Sequence, residues 1–425
     1  MTRISARWWI AILLCAAITI SYFDRQTLPV AIAAIQRDIP INNSQFSQLQ
    51  AAFLVAYALM YAGGGKLIDV LGTRRGFAAV MVWWSLACAG HGLATGFGFL
   101  AISRFLLGMG EGGGFPAATK AVGEWFQAKD RATAMGIINA GTAVGAVLAP
   151  PAIAAIIAGA GWRWVFVIAG GIGLLWAIGW MSIVRETERR AEDAQAAWLP
   201  LLQIKEVWTL VAAKFLSDAA WYFYLFWLPK YLYDVRGFDT KRVGYYAWIP
   251  YAASGVGSLA GGWFSSWLLS RGCSVDRARK LALGASAACM PIVFLVDSAP
   301  VDMAIAIFSV AFFGQQSWST LIMTVPTDLV PGRAVGSVAG MVGFGGALGG
   351  VVFGLVVGYL LDNGYGYSPV FAMAGTFHVA AFLLILFGIR RIEAIRVEEW
   401  DHLMAIDLRA PFLVVQAALP ALKAS

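Results

Sequence analysis

The sequence predicts an all-α membrane protein: twelve transmembrane helices in two six-helix halves around a central cavity. Three observations carry this expectation. Of 425 residues, 60% are hydrophobic and 13% charged, against roughly 45–50% apolar and about 25% charged in an ordinary soluble domain. A soluble enzyme and a disordered chain are both excluded. Charge-poor stretches recur at the length that crosses a bilayer, and one dense run of charge divides the chain near its middle. The apolar excess lies in small and aromatic residues, with 47 Gly, 18 Trp and 26 Phe, as in packed membrane helices with interfacial rings. Cys15, Cys88, Cys273 and Cys289 fall in or beside apolar runs and read as free thiols.

The first span, 8–34, follows Arg3 and Arg7 and holds Asp24 and Arg25. Its start mimics a signal peptide, but no small-residue cleavage site closes it, so it reads as a retained helix. Charge-free stretches at 39–65 and 76–103 supply the second and third spans, and 98–121, with Arg104 and Glu111, the fourth. The fifth and sixth are 132–162 and 164–184. Span seven, 206–229, carries Lys214 and Asp218, span eight is 243–270, and span nine, 279–297, has Lys280 near its start. Stretches 303–327, 334–361 and 363–389 complete the set. Each meets the roughly 20 residues that a crossing needs. Residues 185–193 carry seven charges in nine positions, the only such run between spans six and seven. The expected divisions are therefore 1–184, a first half; 185–205, a linker; 206–391, a second half; and 392–425, an atypical tail. Two six-helix halves around a central site are the architecture of rocking transporters.

With the N-terminus inside, the inner loops and tail hold 22 Lys/Arg and the outer loops six, Arg37, Arg163, Lys230, Arg236, Lys241 and Arg242. That asymmetry places both termini in the cytoplasm. The formal charge of +7 is then topological and implies no nucleic-acid partner; the expected surroundings are a bilayer, in a bacterial inner membrane, with a monomer as the expected state.

Charges at membrane depth are costly and default to function, which singles out Asp24, Arg25, Arg104 and Glu111. Arg104 and Glu111 are seven apart, on nearly one helix face and about 10 Å from each other. Asp24 and Arg25, being adjacent, point about 100° apart, so one can face the cavity while the other engages a neighbouring helix. Tyr22 lies on the side of Arg25. A guanidinium offers a carboxylate a planar fork and stays charged in a partly dry site, so Arg25 reads as an anion clamp. Glu111, among glycines and apolar neighbours, is placed to exchange a proton near neutral pH, with Arg104 linked to that event. The four charges sum to zero, so a monoanion entering with one proton moves no net charge and with two protons moves one positive charge. Gly108, Gly110 and Gly113 form a G-x-G-x-x-G pattern, but inside an apolar span they serve helix packing and not pyrophosphate.

The loop Gly65-x-Leu-x-Asp69-x-x-Gly72-x-Arg74-Arg75 resembles the signature between helices two and three of the major facilitator superfamily, with Val70 where a basic residue is usual. Tyr22-Phe-Asp24-Arg25, Tyr57, and Arg104 with Glu111 together resemble the anion:cation symporter family within it. Glu124-Trp-Phe, Asn139-Ala-Gly141, Ala149-Pro-Pro151, Trp221-Tyr-Phe-Tyr224 through Pro229, and Gln316-Ser-Trp318-Ser-Thr320 are similar to bacterial hexuronate transporters, over 8 to about 391. The resemblance implies proton-coupled import of a small organic anion such as glucuronate or galacturonate. Arg25 would hold the carboxylate, Asp24 and Glu111 would handle protons, and no cofactor is implied. In relatives that bind aldonates a helix-five amide contacts the sugar; here that position is Thr142, with Asn139 one turn away.

From the second half, Trp221, Tyr222, Tyr224, Trp248, Gln315, Gln316, Trp318, Ser319 and Thr320 are candidates to cover a sugar, although packing explains any one of them equally well. Lys214 and Asp218 read as a gating or structural pair. His91 and His378 stand alone in apolar runs as structural residues, and no Cys/His cluster has metal spacing. After Arg391 the tail, including Trp400, Asp407 and Pro411, resembles an internal helix of short-chain dehydrogenases without their nucleotide turn or catalytic residues. It reads as a fusion or assembly scar, the alternative being a native amphipathic helix. The two other functional readings are a carrier of another sugar acid, such as an aldonate, and a membrane sensor that binds such an anion without moving it. An enzyme would need a nucleophile with its base, or a metal set, and neither is present in the sequence.

Overall fold

A bilayer core offers the backbone no water, so an apolar run that enters it must close its hydrogen bonds within a helix. The computed structural model describes residues 6–126, 128–185, 201, 203–330 and 332–392. Among these it has fourteen α-helices: α1 (Ala6–Asp38), α2 (Asn43–Leu71), α3 (Thr73–Gly90), α4 (Phe97–Glu111), α5 (Gly114–Trp125), α6 (Ala128–Ala160), α7 (Trp162–Ile183), α8 (Lys205–Asp234), α9 (Thr240–Tyr246), α10 (Trp248–Ser270), α11 (Val275–Ala288), α12 (Val301–Leu329), α13 (Gly332–Asp362) and α14 (Ser368–Gly388). Short 3₁₀ turns, His91–Leu93 and Met290–Leu295, extend α3 and α11.

Fourteen helices make twelve passes because two passes are broken. Gly112 (φ −59°, ψ −24°) and Gly113 (φ −80°, ψ −14°) stay in the right-handed region between α4 and α5, so the chain continues through them. Ala247 (φ −68°, ψ −22°) joins α9 to α10 in the same way. Eight helical segments are long and apolar enough to cross a membrane by themselves, among them 7–38 and 275–295 despite their charges. Freedom from charge does not guarantee apolarity. The stretch holding α10 carries no charge over 243–270 yet falls outside those eight, because serines and glycines lower its hydropathy.

The two halves repeat one packing plan. In the first, α1 packs on α6 and α2 on α4; in the second, α8 packs on α13 and α10 on α12. Glycines make the same contacts in both. A Cβ at Gly141 or Gly145 of α6 would strike the carbonyls of Cys15 or Thr19 on α1, and one at Gly349 of α13 would strike that of Phe215 on α8. Gly108 of α4 meets Phe53 O, and Gly257 of α10 meets Phe313 O. Backbone against backbone is how membrane helices gain contact without a hydrophobic drive.

We call the side where α1 starts the near face and the side where it ends the far face. Contacts between the halves run along α2 and α13, from Ser47 at Gly358 through Leu54 at Gly350 to Tyr61 at Gly343, and hydrogen bonds join the halves toward the far face. Tyr233 donates to Val30 O (2.6 Å) and Gln26 to Leu225 O (3.1 Å), Phe46 meets Trp227 edge-on, and Asp362 accepts from the amides of Asn43 (3.0 Å) and Ser44 (2.8 Å). On the near side of this region Ala143 still faces Gly255, whereas Asn139, one turn further, is exposed.

Candidate functional site

Four ionisable side chains are buried together where α1, α3 and α4 meet: Asp24 and Arg104 at 0% exposure, Arg25 and Glu111 at 2%. Glu111 is the last residue of α4 before the Gly112–Gly113 break. A side chain at Gly112 would press on Tyr57 O and Met60 of α2, so the bare backbone here lets the helix end come in close. Its carboxylate meets α1. Arg25 Nε donates to Glu111 Oε2 at 2.8 Å and Ser21 Oγ donates to the same oxygen at 2.7 Å, leaving Glu111 Oε1 and one terminal nitrogen of Arg25 without partners among the described residues.

Aromatic rings frame the guanidinium, which lies 4.5 Å from the ring of Tyr22, 4.6 Å from Tyr57 and 5.5 Å from Phe53. Such faces hold a cation while leaving its N–H edge free to hydrogen bond. Tyr57 continues the layer by packing on Tyr61. From the other half, Tyr222 lies within the electrostatic reach of Arg25.

Asp24 turns the other way, toward the Cys88 thiol and into the field of Arg104. Among the described residues no hydrogen bond reaches the three nitrogens of Arg104, and the Cys88 thiol faces the Asp24 carboxylate. A buried polar group without a partner costs about 1–3 kcal/mol, and more when charged, so Arg104 is held here at a cost to the fold. Arg104 was expected to answer to Glu111 and lies in its field, but the hydrogen bond to that carboxylate comes from Arg25 on α1.

The remaining candidates are scattered around this centre. Trp221 (7% exposed) and Tyr222 (8%) are buried on α8, Trp221 edge-on to Phe312. On α12, Trp318 is buried with its indole N–H unpaired, Gln315 is bonded to His378, Gln316 is half-buried, Ser319 accepts from Lys214 (3.3 Å), and Thr320 pairs with Ser258 (2.8 Å). Tyr224 is buried among Phe223, Phe308 and Phe312, and Trp248 is exposed. Thr142 turns its hydroxyl back to Asn139 O at 2.8 Å. His91 bonds to Ala87 O and stacks on Phe166. In the α2–α3 loop Gly72 takes a left-handed φ of 79°, Arg74 donates to Met181 O (2.6 Å), and Trp180 donates to Arg74 O (2.9 Å). Gly65 and the side chain of Asp69 lie outside what is described, as do most of the linker and the tail from 393. Ser21 and Phe53 were missed by the sequence reading. Each sits four residues before a residue it singled out, Arg25 and Tyr57, and that spacing was the available signal.

Two six-helix bundles, with charges buried in the first of them, are the architecture of membrane transporters. The chain belongs to the Major Facilitator Superfamily, which residues 14–354 match. It is 29% identical to the hexuronate transporter of Escherichia coli K12, over 93% of this chain and 97% of that one. It is 32% identical to a galacturonate transporter of Dickeya chrysanthemi, over 60% of this chain and 81% of that one. Its fold matches a solved bacterial homologue of the human lysosomal transporter Spinster, inward-facing and occupied, with a TM-score of 0.71 at 18% identity, covering 91% of this chain and 96% of that one. The chain is a multi-pass membrane transporter and not an enzyme.

Proposed function

We infer that this transporter imports a hexuronate, glucuronate or galacturonate, together with protons, across a bacterial inner membrane by alternating access. Both termini and the near face are cytoplasmic, the halves are 1–184 and 206–391, and the unit is a monomer. The observation that carries the reading is the Arg25–Glu111 bond. One guanidinium serves two carboxylates in turn, that of Glu111 and that of the substrate.

With Glu111 ionised, its carboxylate fills part of the Arg25 fork and a second anion is turned away. A proton taken up by Glu111 removes that charge, and the freed edge of Arg25 receives the substrate carboxylate in a bidentate pair. Tyr22 and Tyr57 hold the guanidinium plane throughout. Loss of the proton toward the cytoplasm restores the Glu111–Arg25 bond and expels the anion. Asp24 and Arg104 form the second proton-responsive pair. Trp221, Tyr222, Gln316, Trp318 and Ser319 close over the sugar, with Asn139 and Thr142 on the route to the near face. The α2–α3 loop, with Gly65, Asp69, Gly72, Arg74 and Arg75, is the gate on that face.

An aldonate is the second substrate reading; the helix-five position that carries an amide in aldonate-binding relatives is Thr142 here, with Asn139 one turn away to take its place. Proteoliposomes under an inward proton gradient test the whole scheme. Labelled galacturonate accumulates above its external concentration, and Glu111→Gln abolishes that accumulation while leaving counterflow exchange. A sensor would accumulate nothing with either protein, and a channel would equilibrate substrate in both.

A further inference from the structure

The second half has its own buried ion pair, which the scheme above does not use. Lys214 Nζ donates to Asp218 Oδ1 at 2.8 Å and to Ser319 Oγ at 3.3 Å, with the two residues each 6% exposed. Its composition repeats that of the first-half pair, a cation, a carboxylate and a serine hydroxyl: Arg25, Glu111 and Ser21 there, Lys214, Asp218 and Ser319 here. Asp218 Oδ2 lies in the notch left by Gly346 on α13, where any side chain would collide with it.

The pair borders the same ring layer as Arg25. Tyr57, 4.6 Å from the Arg25 guanidinium, packs on Tyr61, and along α13 Gly343 lies against Tyr61, Gly346 against Asp218 and Gly350 against Tyr222. Tyr222 is one turn of α8 beyond Asp218, roughly 5.4 Å, a shorter distance than the length of a six-carbon acid. The pair therefore borders the ring layer that frames Arg25, where the far end of an anion held by its carboxylate would meet it.

We propose that Lys214, Asp218 and Ser319 form a hydroxyl subsite that selects a polyhydroxylated monoanion by the end opposite its carboxylate. This rests on the transport reading. A bare lysine would attract a second anion, but an ammonium with a carboxylate 2.8 Å away has no net charge to offer. What it offers is one donor and one acceptor side by side. A hydroxyl group can accept from the first and donate to the second at once, as neither a methylene nor a carboxylate can. Neighbouring hydroxyls of a sugar acid fit; an aldarate, with a carboxylate at each end, meets the Asp218 charge. The site thus discriminates by leaving its polar groups unpaired when the ligand lacks hydroxyls, the strong form of selectivity.

The experiment measures binding of galacturonate, cyclohexanecarboxylate and glucarate to the detergent-purified full chain by calorimetry. The wild type is expected to prefer galacturonate by about tenfold or more over each of the others. Asp218→Asn is expected to reduce that preference to about twofold and to raise affinity for glucarate, since the subsite becomes positive. Lys214→Met with Asp218→Leu removes both charges, so no lone ion is left to unfold the protein, and is expected to erase the preference while keeping cyclohexanecarboxylate binding. An unchanged preference in both variants overturns the subsite and leaves the pair structural. Failure of the wild type to bind any of the three overturns the transport reading itself, a different outcome.

Discussion

Arg25 shows how much one side chain can be asked to do. Its charge could be supplied by lysine, but its planar fork and its stacking between Tyr22 and Tyr57 could not. Arg25→Lys should therefore fold, since the cation still faces Glu111, yet weaken galacturonate binding by about tenfold or more. A melting temperature near wild type with a raised dissociation constant would bear this out; unchanged binding would mean that point charge alone suffices. The four charges were legible in the sequence because ions in apolar spans stand out. Who pairs with whom was not. The bond from Glu111 to Arg25 joins α4 to α1, although within α4 Glu111 stays in line with Arg104. Sequence spacing sees one helix at a time, and a contact across 86 positions lies beyond it.

At the scale of helices, the small residues matter by where their missing side chains would have gone. Gly349 lies against Phe215 O of α8, whereas Gly171 of α7 has nothing within 4 Å of a built Cβ. Alanine favours a helix over glycine by about 1 kcal/mol, so Gly171→Ala should hold or raise the melting temperature. Gly349→Ala should lower it, because backbone cannot step aside and overpacking costs about 1–3 kcal/mol. Thermal unfolding in detergent separates the two, and equal shifts would show that the glycine contacts do not hold α13 on α8. The helices themselves were readable from charge-free length, but their glycine contacts and broken passes were not. Composition places a glycine in a span, and only the neighbouring helix decides whether that glycine is needed.

Over the whole molecule, the 6+6 division was legible in the charge run at 185–193, and the packing repeat agrees with it. The contacts that join the halves were not legible, because each depends on two distant helix ends. Asp362 is the clearest of these. It is the last residue of α13, where a negative charge opposes the helix dipole, yet its carboxylate accepts the first two amides of α2 in the other half. The favourable partner for Asp362 lies across the gap, at a helix N-terminus. Opening the far face must break both bonds, so this acid biases the protein toward far-face closure. Asp362→Ala should shift the balance toward the far-face-open form by about two- to fivefold. A cysteine placed at Ser47, which lies under Gly358, should then react faster with a membrane-impermeant maleimide added from the far side. The control is the same cysteine in the Asp362 background, and saturating galacturonate should change both rates. If the two backgrounds label at one rate, the closure of the far face rests on the Tyr233, Gln26 and Phe46 contacts and not on the α13–α2 cap.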